Sequence, residues 1–369
     1  MTERHEWLCT DVATRGSLSH QSRIEYTNAV QCLQQKPAIS SSYDVPGARS
    51  HFDDFSATHI IEAPHVHFSV RIFCLLHMGQ IARKDRLNPE KGLFFHFHRY
   101  FIWLYEKALQ EECGYEGTQP YWDWTLSWQD PRKSTVFDGS PTSLGSNGKP
   151  IPHGPTNLTA FGLNLEIAPA TGGGCVYSGP FKNYTVNLGP LAFAPVDGDN
   201  GLDYNPRCLS RDLSLVWSNN TKPTHVVSLI SGCADLGCFD TVLEALDGVH
   251  AGGHFTIGGI GLDAFASAGD PAFYLHHTQV DRLWTIWQNL NAPNRTRQVY
   301  GTSTAFNGEF HFICSSFKGS SVLMGRMLLV PPSPNVTLNT DIDFGILAPQ
   351  QPVSSLVSSI DGPFCYMYI

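Results

Sequence analysis

The sequence predicts a mainly α fold, in which an antiparallel four-helix bundle forms the core and long irregular loops with a few short strands surround it. Three observations lead to this prediction. Residues 92–113 form a long helical run that is apolar on nearly all sides at its start. A second helical region covers 240–290, and the stretch 126–235 is rich in Pro, Gly, Asn and Ser with little periodicity. We expect a single domain over 1–369.

The helices of the first half are predicted from the spacing of apolar residues and from the Pro and Gly residues that end a helix. The pattern SRIEYTNAVQCLQQK is helical until Pro37 stops it, and HFDDFSATHI predicts a short helix from the spacing of its apolar residues. The run at 92–113 ends at Gly114, a residue typical of the left-handed position that closes a helix. The stretch 126–235 is expected to pass over the surface of the core.

The second helical region begins with a histidine pair. His250 and His254 stand four residues apart, so both imidazoles leave the same helix face. A single pair at this spacing is equally typical of packed core or surface histidines. A second histidine-bearing helix shortly after it favours a metal half-site instead.

That second helix has a recognisable start. Asp270 is typical of an N-cap and Pro271 of the first helical position, so the helix carries His276 and His277. Adjacent helical residues point about 100° apart, so we expect one of these two to meet the first pair. Asp281, four residues after His277, is placed to orient that imidazole.

The first half of the chain offers a matching half-site. His59 lies on the short helix and His98 on the long one, whereas His96 points to another face. A third ligand is expected from the connecting segment, which contains His65, His67 and His77. Three imidazoles without Cys or carboxylate suit copper, zinc, iron or nickel. Three plus three histidines on four helices would place two metals facing each other in the bundle core.

Composition narrows the classes of function. Charged residues make up 15% of the 369 residues, the formal net charge is −9 and the sequence pI is near 5.9. These values predict no basic surface for nucleic acid or acidic membranes. There is no run of 18 apolar residues, so no membrane-spanning helix is expected. The oligomeric state is left open by the sequence.

Cysteines and glycosylation motifs indicate an oxidising compartment. The chain has ten cysteines and five N-x-S/T motifs, at Asn157, Asn183, Asn219, Asn294 and Asn335. This combination favours a secreted glycoprotein with disulfides. The start, MTERHEWLCTD, does not resemble a signal peptide, so an intracellular protein with inert buried thiols is the alternative.

Two motifs resemble the copper signatures of the tyrosinase, catechol oxidase and haemocyanin family. FFHFHRYFIWLYEKAL resembles the first signature, and DPAFYLHHTQVDRLW matches the second. YWDW and the closing GPFCYMY resemble further landmarks of the short fungal tyrosinases and catechol oxidases (polyphenol oxidases). The resemblance extends with gaps from about Arg4 to Tyr368.

The resemblance implies a type 3 dicopper site in the helical core. Its motifs map three histidines to each metal: His59, His67 and His98 to copper A, and His250, His254 and His277 to copper B. The second histidine of the HH pair is the ligand in this signature, so His276 is expected to be a neighbour. Two copper ions with O2 as co-substrate imply oxidation of a small phenol, an o-diphenol (catechol), to an o-quinone.

One departure from the family pattern concerns copper A. His59 and His67 are eight residues apart, as in the short fungal members, but His67 and His98 are 31 apart instead of nine. Removing the 22 residues 70–91 restores the gap of nine and gives HFSGLFFHFHRYF. We hypothesise that 70–91 is a retained intron, the alternative being a genuine surface loop. Residues 8–16 and about 308–329 are suspected to be similar insertions, each with an odd cysteine (Cys9 and Cys314).

Further residues are candidates around the metals. Asp281 could orient His277 or form a salt bridge with Arg99 or Arg282. Glu244 is a candidate for holding a water, with a solvent-facing helix residue as the alternative.

Three apolar residues are expected to shape the substrate pocket. Ala251 follows His250, where an Asn is associated with monophenol hydroxylation in the family. The Ala therefore favours diphenol oxidation, with weak monophenol hydroxylation at most. Phe255 and Phe273 are expected to form walls for an aromatic substrate or to be plain core.

Two other functions fit the sequence less well than a catechol oxidase does. An oxygen carrier would have an additional domain over the coppers, and a zinc hydrolase would need the glutamate of HExxH, which HAGGH lacks. Within the oxidase class, o-aminophenols or a peptide tyrosine in secondary metabolism are alternative substrates. If 70–91 is translated, His67 could be displaced and the protein could be an inactive relative with a defective copper A.

Overall fold

The computed structural model describes residues 9–67, 92–160, 163–191, 200–303, 311–313, 326–328 and 334–369. Helices dominate these residues, and the strands are short and occur in pairs, so the predicted mainly α class is confirmed. The helices of the described residues are α1 (His20–Leu33), α2 (His51–Val66), α3 (Phe94–Cys113), α4 (Leu215–Ser218), α5 (Pro223–Gly232), α6 (Leu236–Glu244), α7 (Val249–Ile257), α8 (Ala272–Asn289) and α9 (Ala292–Arg295).

Helix α2 begins with a capping box. The Ser50 hydroxyl accepts the backbone N–H of Asp53, and the Asp53 carboxylate accepts the backbone N–H of Ser50. The helix continues to Val66, six residues beyond the predicted short helix, with Pro64 inside its last turn. This longer course makes His67 the residue that follows the helix end.

Helix α3 lies at the centre of the core and packs against α1 and α8. Its Tyr105 ring stacks on Tyr274 of α8, with ring centres 3.6 Å apart. The helix ends as predicted, because Gly114 adopts φ +65° and donates its N–H to the Gln110 carbonyl.

The second helical region contains one more break than predicted. Residues 245–248 separate α6 from α7, and a Cβ on Gly248 would lie 2.4 Å from the Leu243 carbonyl oxygen, so only glycine fits there. The start of α8 agrees with the prediction to within one residue, because the helix begins at Ala272 and Pro271 rather than Asp270 takes the N-cap position. The Asp270 carboxylate accepts the N–H of Ala272, and Pro271 has the helical φ of −54°.

The stretch 126–235 contains more secondary structure than predicted, since an irregular course over the surface of the core was expected. It holds α4, α5 and three antiparallel strand pairs. It also reaches the core, because the fully buried Arg211 donates two hydrogen bonds to the Asp270 carboxylate, 2.7 and 2.8 Å long. These strands are β2 (Gly148–Pro150) with β5 (Gly173–Val176), β3 (Thr156–Ala160) with β4 (Leu163–Ile167), and β6 (Thr185–Val186) with β7 (Arg207–Cys208).

The expectation that Cys9 is an odd cysteine is wrong, whereas the suspected insertion of 8–16 stays a hypothesis. Cys9 forms a disulfide with Cys365, 356 residues away in sequence. Strand β1 (Thr10–Val12) pairs in parallel with β12 (Tyr366–Tyr368). No local pattern could reveal a partner so distant.

Three other disulfides support the expectation of disulfide bonding. They join Cys32 to Cys113, Cys175 to Cys208, and Cys233 to Cys238. Among the described helices, none is long and apolar enough to cross a membrane.

The two other suspected insertions lie largely outside the described residues. Of 308–329, only β8 (His311–Ile313) and β9 (Arg326–Leu328) are described, and these two strands pair antiparallel. Outside this segment, β10 (Asp341–Ile342) pairs with β11 (Gln351–Pro352). Residues 70–91 are outside altogether, so the retained intron stays a hypothesis. The rings of His67 and Phe94, which flank that segment, lie 5.3 Å apart.

Candidate metal centre

Three histidines of the first half form one cluster, here called cluster A. His59 comes from the middle of α2, His67 from the residue after it and His98 from the second turn of α3. One ring nitrogen of each lies within 4.8 Å of the others. The Nε2 atoms of His59 and His67 are 3.1 Å apart. Because both helix positions face inward, the folded chain brings these three predicted residues together.

Backbone carbonyls orient two of these imidazoles. The Nδ1–H of His59 donates to the Phe265 carbonyl (2.6 Å), and that of His98 donates to the Phe94 carbonyl one turn earlier in α3 (2.8 Å). With Nδ1 protonated, each ring presents the lone pair of Nε2 to the cluster. The Phe94 carbonyl follows from helix periodicity, whereas Phe265 had no signal in the sequence.

Cluster B contains four histidines rather than the predicted three. His250 and His254 come from α7, and His276 and His277 from α8; a ring nitrogen of each lies within 4.8 Å of the others. The Nε2 atoms of His254 and His277 are 3.1 Å apart.

His276 is closer to the site than the sequence predicts. Its ring lies parallel to that of His250, with centres 5.5 Å apart, and both of its nitrogens are buried without a hydrogen-bond partner among the described residues. It fits because Gly253 has no side chain, since a Cβ there would lie 2.2 Å from the His276 ring. The glycine pair inside HAGGH was the available signal.

The two clusters face each other across α3 and α8. The rings of His98 and His277 stack with centres 4.1 Å apart, and those of His67 and His250 lie 5.9 Å apart. Phe273 contacts both sides, with its ring 4.8 Å from that of His59 and 4.2 Å from that of His277. The buried Phe273 ring therefore fills space beside both clusters.

Burial keeps these imidazoles neutral. It lowers the pKa of His59 to about 4 and the pKa of His254 to about 3. It also moves the pKa well below the usual range for His67, His98, His250, His276 and His277. Neutral imidazole is the form that binds a metal.

The donor set fits a pair of copper ions. The Nε2 atoms of His98 and His250 are buried without a hydrogen-bond partner among the described residues, an arrangement that costs free energy unless a ligand is bound. All the ligating atoms of the two clusters are imidazole nitrogens, which suit both copper oxidation states.

Asp281 does not orient His277. One carboxylate oxygen accepts from Arg99 Nε (2.7 Å), and the other accepts from the hydroxyls of Tyr366 (2.6 Å) and Tyr368 (2.5 Å). The alternative role, a salt bridge with Arg99, is the observed one. It ties α3, α8 and the C-terminal strand together.

The other residues predicted to surround the metals, Glu244 and the three apolar pocket candidates, do not all lie next to the clusters. Glu244 is the last residue of α6 and is partly exposed. Ala251 and Phe255 are buried in a small apolar cluster with residues of the β3–β4 hairpin, whereas Phe273 belongs to the main core. The Phe273 ring contacts histidines of both clusters, edge-on to His59 and tilted against His277.

Known proteins resemble this chain over almost all of its length. Residues 49–290 match the family model described as the common central domain of tyrosinase. The Aspergillus terreus protein named tyrosinase P is 38% identical over 381 aligned residues, covering 99% of this chain and 91% of the relative. An Emericella nidulans protein named N-acetyl-6-hydroxytryptophan oxidase is 31% identical, covering 99% of this chain and 91% of the relative.

A solved structure agrees in fold as well. A mutant polyphenol oxidase from Thermothelomyces thermophila superposes with a TM-score of 0.80 at 36% identity, covering 98% of this chain and 89% of that one.

Proposed function

The chain belongs to the tyrosinase family, and from this premise we propose that it oxidises o-diphenols to o-quinones with O2. The family's cofactor is a type 3 pair of copper ions, and clusters A and B are able to hold one metal each. In the balanced reaction, two o-diphenols lose two electrons and two protons each, and one O2 becomes two waters.

We assign three histidines to each copper. His59, His67 and His98 would hold copper A; His250, His254 and His277 would hold copper B. The observation that carries the proposal is the stacking of His98 on His277 at 4.1 Å, because it brings two neutral imidazole clusters face to face. Bound copper would supply the redox chemistry for the reduction of O2.

The chain's own residues prepare the site for that chemistry. The Phe265 and Phe94 carbonyls fix the rings of His59 and His98, and burial keeps all the imidazoles unprotonated at neutral pH. The substrate hydroxyls must lose their protons to a bound water or to a displaced group, since the two clusters contain imidazoles alone among the described residues.

The side chain beside His250 supports diphenol over monophenol oxidation. Ala251 has a methyl group, which cannot hold and orient a water that would take the proton of a monophenol. Monophenols ionise less readily at the site without such a base, whereas catechols offer two adjacent hydroxyls to the metals.

A second candidate is a hydroxyaryl or o-aminophenol substrate of secondary metabolism. A relative named for the oxidation of N-acetyl-6-hydroxytryptophan aligns over 99% of this chain, and another is named tyrosinase-like protein orsC, at 35% identity. These names describe the relatives, and they favour testing bicyclic hydroxyaryl compounds beside simple catechols.

We also propose that the protein passes through the secretory pathway. The four disulfides of the described residues require an oxidising compartment to form. The five motif asparagines, Asn157, Asn183, Asn219, Asn294 and Asn335, are all exposed. Removal of N-glycans from the secreted protein should lower its mass, and an unchanged mass would contradict the glycosylation.

Metal analysis combined with quinone detection tests the proposed reaction. The copper-loaded protein should bind two coppers per chain and form quinone from 4-methylcatechol more than about tenfold faster than from 4-methylphenol. The same protein loaded with zinc is the matched control and should form none. Retention of zinc alone after growth with copper, or two bound coppers without any quinone, would contradict the proposal.

A further inference from the structure

The histidine clusters are not equally buried on all sides. His59, His98, His276 and His277 are 0–2% exposed, whereas His250 and His254 are 8% and 9% exposed. His67 is partly exposed as well. The site is therefore least covered at an opening beside His67, His250 and His254.

Helix α7 has two flanks at this opening. Gly253 lies on the flank against α8, where the His276 ring leaves no room for a Cβ. Ala251 and Phe255 lie about 100° around the helix axis from His250 and His254, on the side opposite to Gly253. This second flank faces the β3–β4 hairpin and α4, on the side of α7 away from α8.

An apolar wall covers that flank. It is defined by Leu158, Leu165 and Ile167 of the hairpin and Trp217 of α4, which pack with Ala251 and Phe255 in one cluster. Strand register explains this, because Leu158 pairs with Leu165 and Ile167 lies two residues further on the same face. The Trp217 ring meets Phe255 edge to face at 4.7 Å.

The apolar wall is separate from the main core and incompletely covered. The charged Glu166, which lies between Leu165 and Ile167 in the strand, is exposed on the opposite, solvent side of the hairpin. Leu165 and Trp217 are only partly buried. An apolar group that covered them would gain free energy from leaving water, whereas a charged group would lose its hydration.

We propose that the apolar wall determines substrate choice by accepting an uncharged, apolar substituent of the phenolic ring. The inference rests on the proposed function, since it places the ring at the coppers and the substituent against Leu165 and Trp217. The substrate class is then a catechol with an alkyl or aryl substituent, and catechols with a carboxylate side chain are disfavoured.

Binding of ligands that cannot be oxidised tests the wall separately from the reaction. Isothermal titration of the copper-loaded protein should give a Kd at least about tenfold lower for 4-butylbenzoate than for benzoate. Terephthalate, with a second carboxylate, should bind more weakly than benzoate. In Leu165→Gln and Trp217→Ala the butyl preference should fall below about threefold, with unchanged copper content. Val216→Gln, at a neighbouring residue that is 73% exposed, should keep it.

The outcomes separate the two proposals. Equal Kd values for benzoate and 4-butylbenzoate in the unmodified protein, or a preference that survives in both wall variants, would overturn the apolar wall. A clear butyl preference without quinone formation from any catechol would leave the wall standing and refute the oxidase. Loss of copper in one wall variant leaves the other variant to decide.

Discussion

Clusters A and B both consist of buried or partly buried imidazoles, but the chain positions the histidines of the two clusters differently. The histidines of cluster B come from 250–277, all within helices, and none is more than 9% exposed. Those of cluster A come from 59–98, and His67 follows the end of α2, partly exposed. A ligand inside a helix is placed by the helical repeat. A ligand after a helix end depends also on the chain beyond it, which here is the segment 68–91.

Exchange of one ligand in each cluster is the strongest test of this comparison. His98→Ala and His277→Ala should each lower copper binding from two to about one per chain and reduce quinone formation more than about 100-fold. The reason is that each removes one of three ligands while the other cluster stays intact. Metal analysis by mass spectrometry measures this, with the exposed His20→Ala as the control. Loss of both coppers in either variant would show that the clusters do not act separately.

Deletion of 70–91 addresses cluster A alone. The shortened chain should fold and bind two coppers, at least as many as the full chain, because its spacing from His67 to His98 becomes nine residues. Shortening the connection between α2 and α3 is also favourable for chain entropy, though only modestly. In the shortened chain, His67→Ala should lower the copper content to about one.

Two results would contradict the retained-intron hypothesis. One is a shortened chain that loses copper A while the full chain keeps it. The other is a spliced transcript that contains the codons for 70–91 and encodes active protein. Cluster B should be unaffected in either case.

The salt bridge between Arg99 and Asp281 joins α3, which carries His98 of cluster A, to α8, which carries His277 of cluster B. Asp281→Ala should destabilise the protein by about 3–5 kcal/mol, because it leaves the buried Arg99 without its carboxylate. Denaturant unfolding measures this. Glu111→Ala, on the same α3 helix, is the control and should change stability by less than about 0.5 kcal/mol. A loss of copper affinity without a loss of stability would instead support a role in orienting His277.

The smallest expected effect is the pH dependence of stability that arises from Glu62, near the end of α2. Burial and the nearby Asp343 raise the pKa of Glu62 from 4.5 to about 7. The folded chain thus holds this proton more tightly than the unfolded chain, so stability falls as the pH rises from about 4.5 through 7. Asp343→Asn should reduce this fall by on the order of 1 °C in Tm, measured by calorimetry at pH 5 and 8. The exposed Asp341→Asn is the control, and an equal effect of both would contradict the assignment.

The sequence predicts what depends on local periodicity. His250 with His254, the Asp270 start of α8 and the Gly114 end of α3 are all set by nearby residues, and the structure has each of them. The helices carry the two histidine clusters to one another because their apolar faces share a core.

Most contacts between distant residues could not be predicted. The partner of Cys9 is 356 residues away, and the Phe265 carbonyl that holds the His59 ring is 206 residues from that histidine. His276 was expected outside the metal cluster because a helix separates adjacent residues by about 100°, yet the missing side chain at Gly253 lets its ring approach. Such placements depend on the packing of complete helices.

Anomalous diffraction at the copper edge from crystals of the copper-loaded protein tests the central claim most directly. We predict two peaks, one coordinated by the Nε2 atoms of His59, His67 and His98, and one by those of His250, His254 and His277. A single peak at cluster B, or a peak coordinated by His276 in place of His277, would contradict this assignment of the dicopper site.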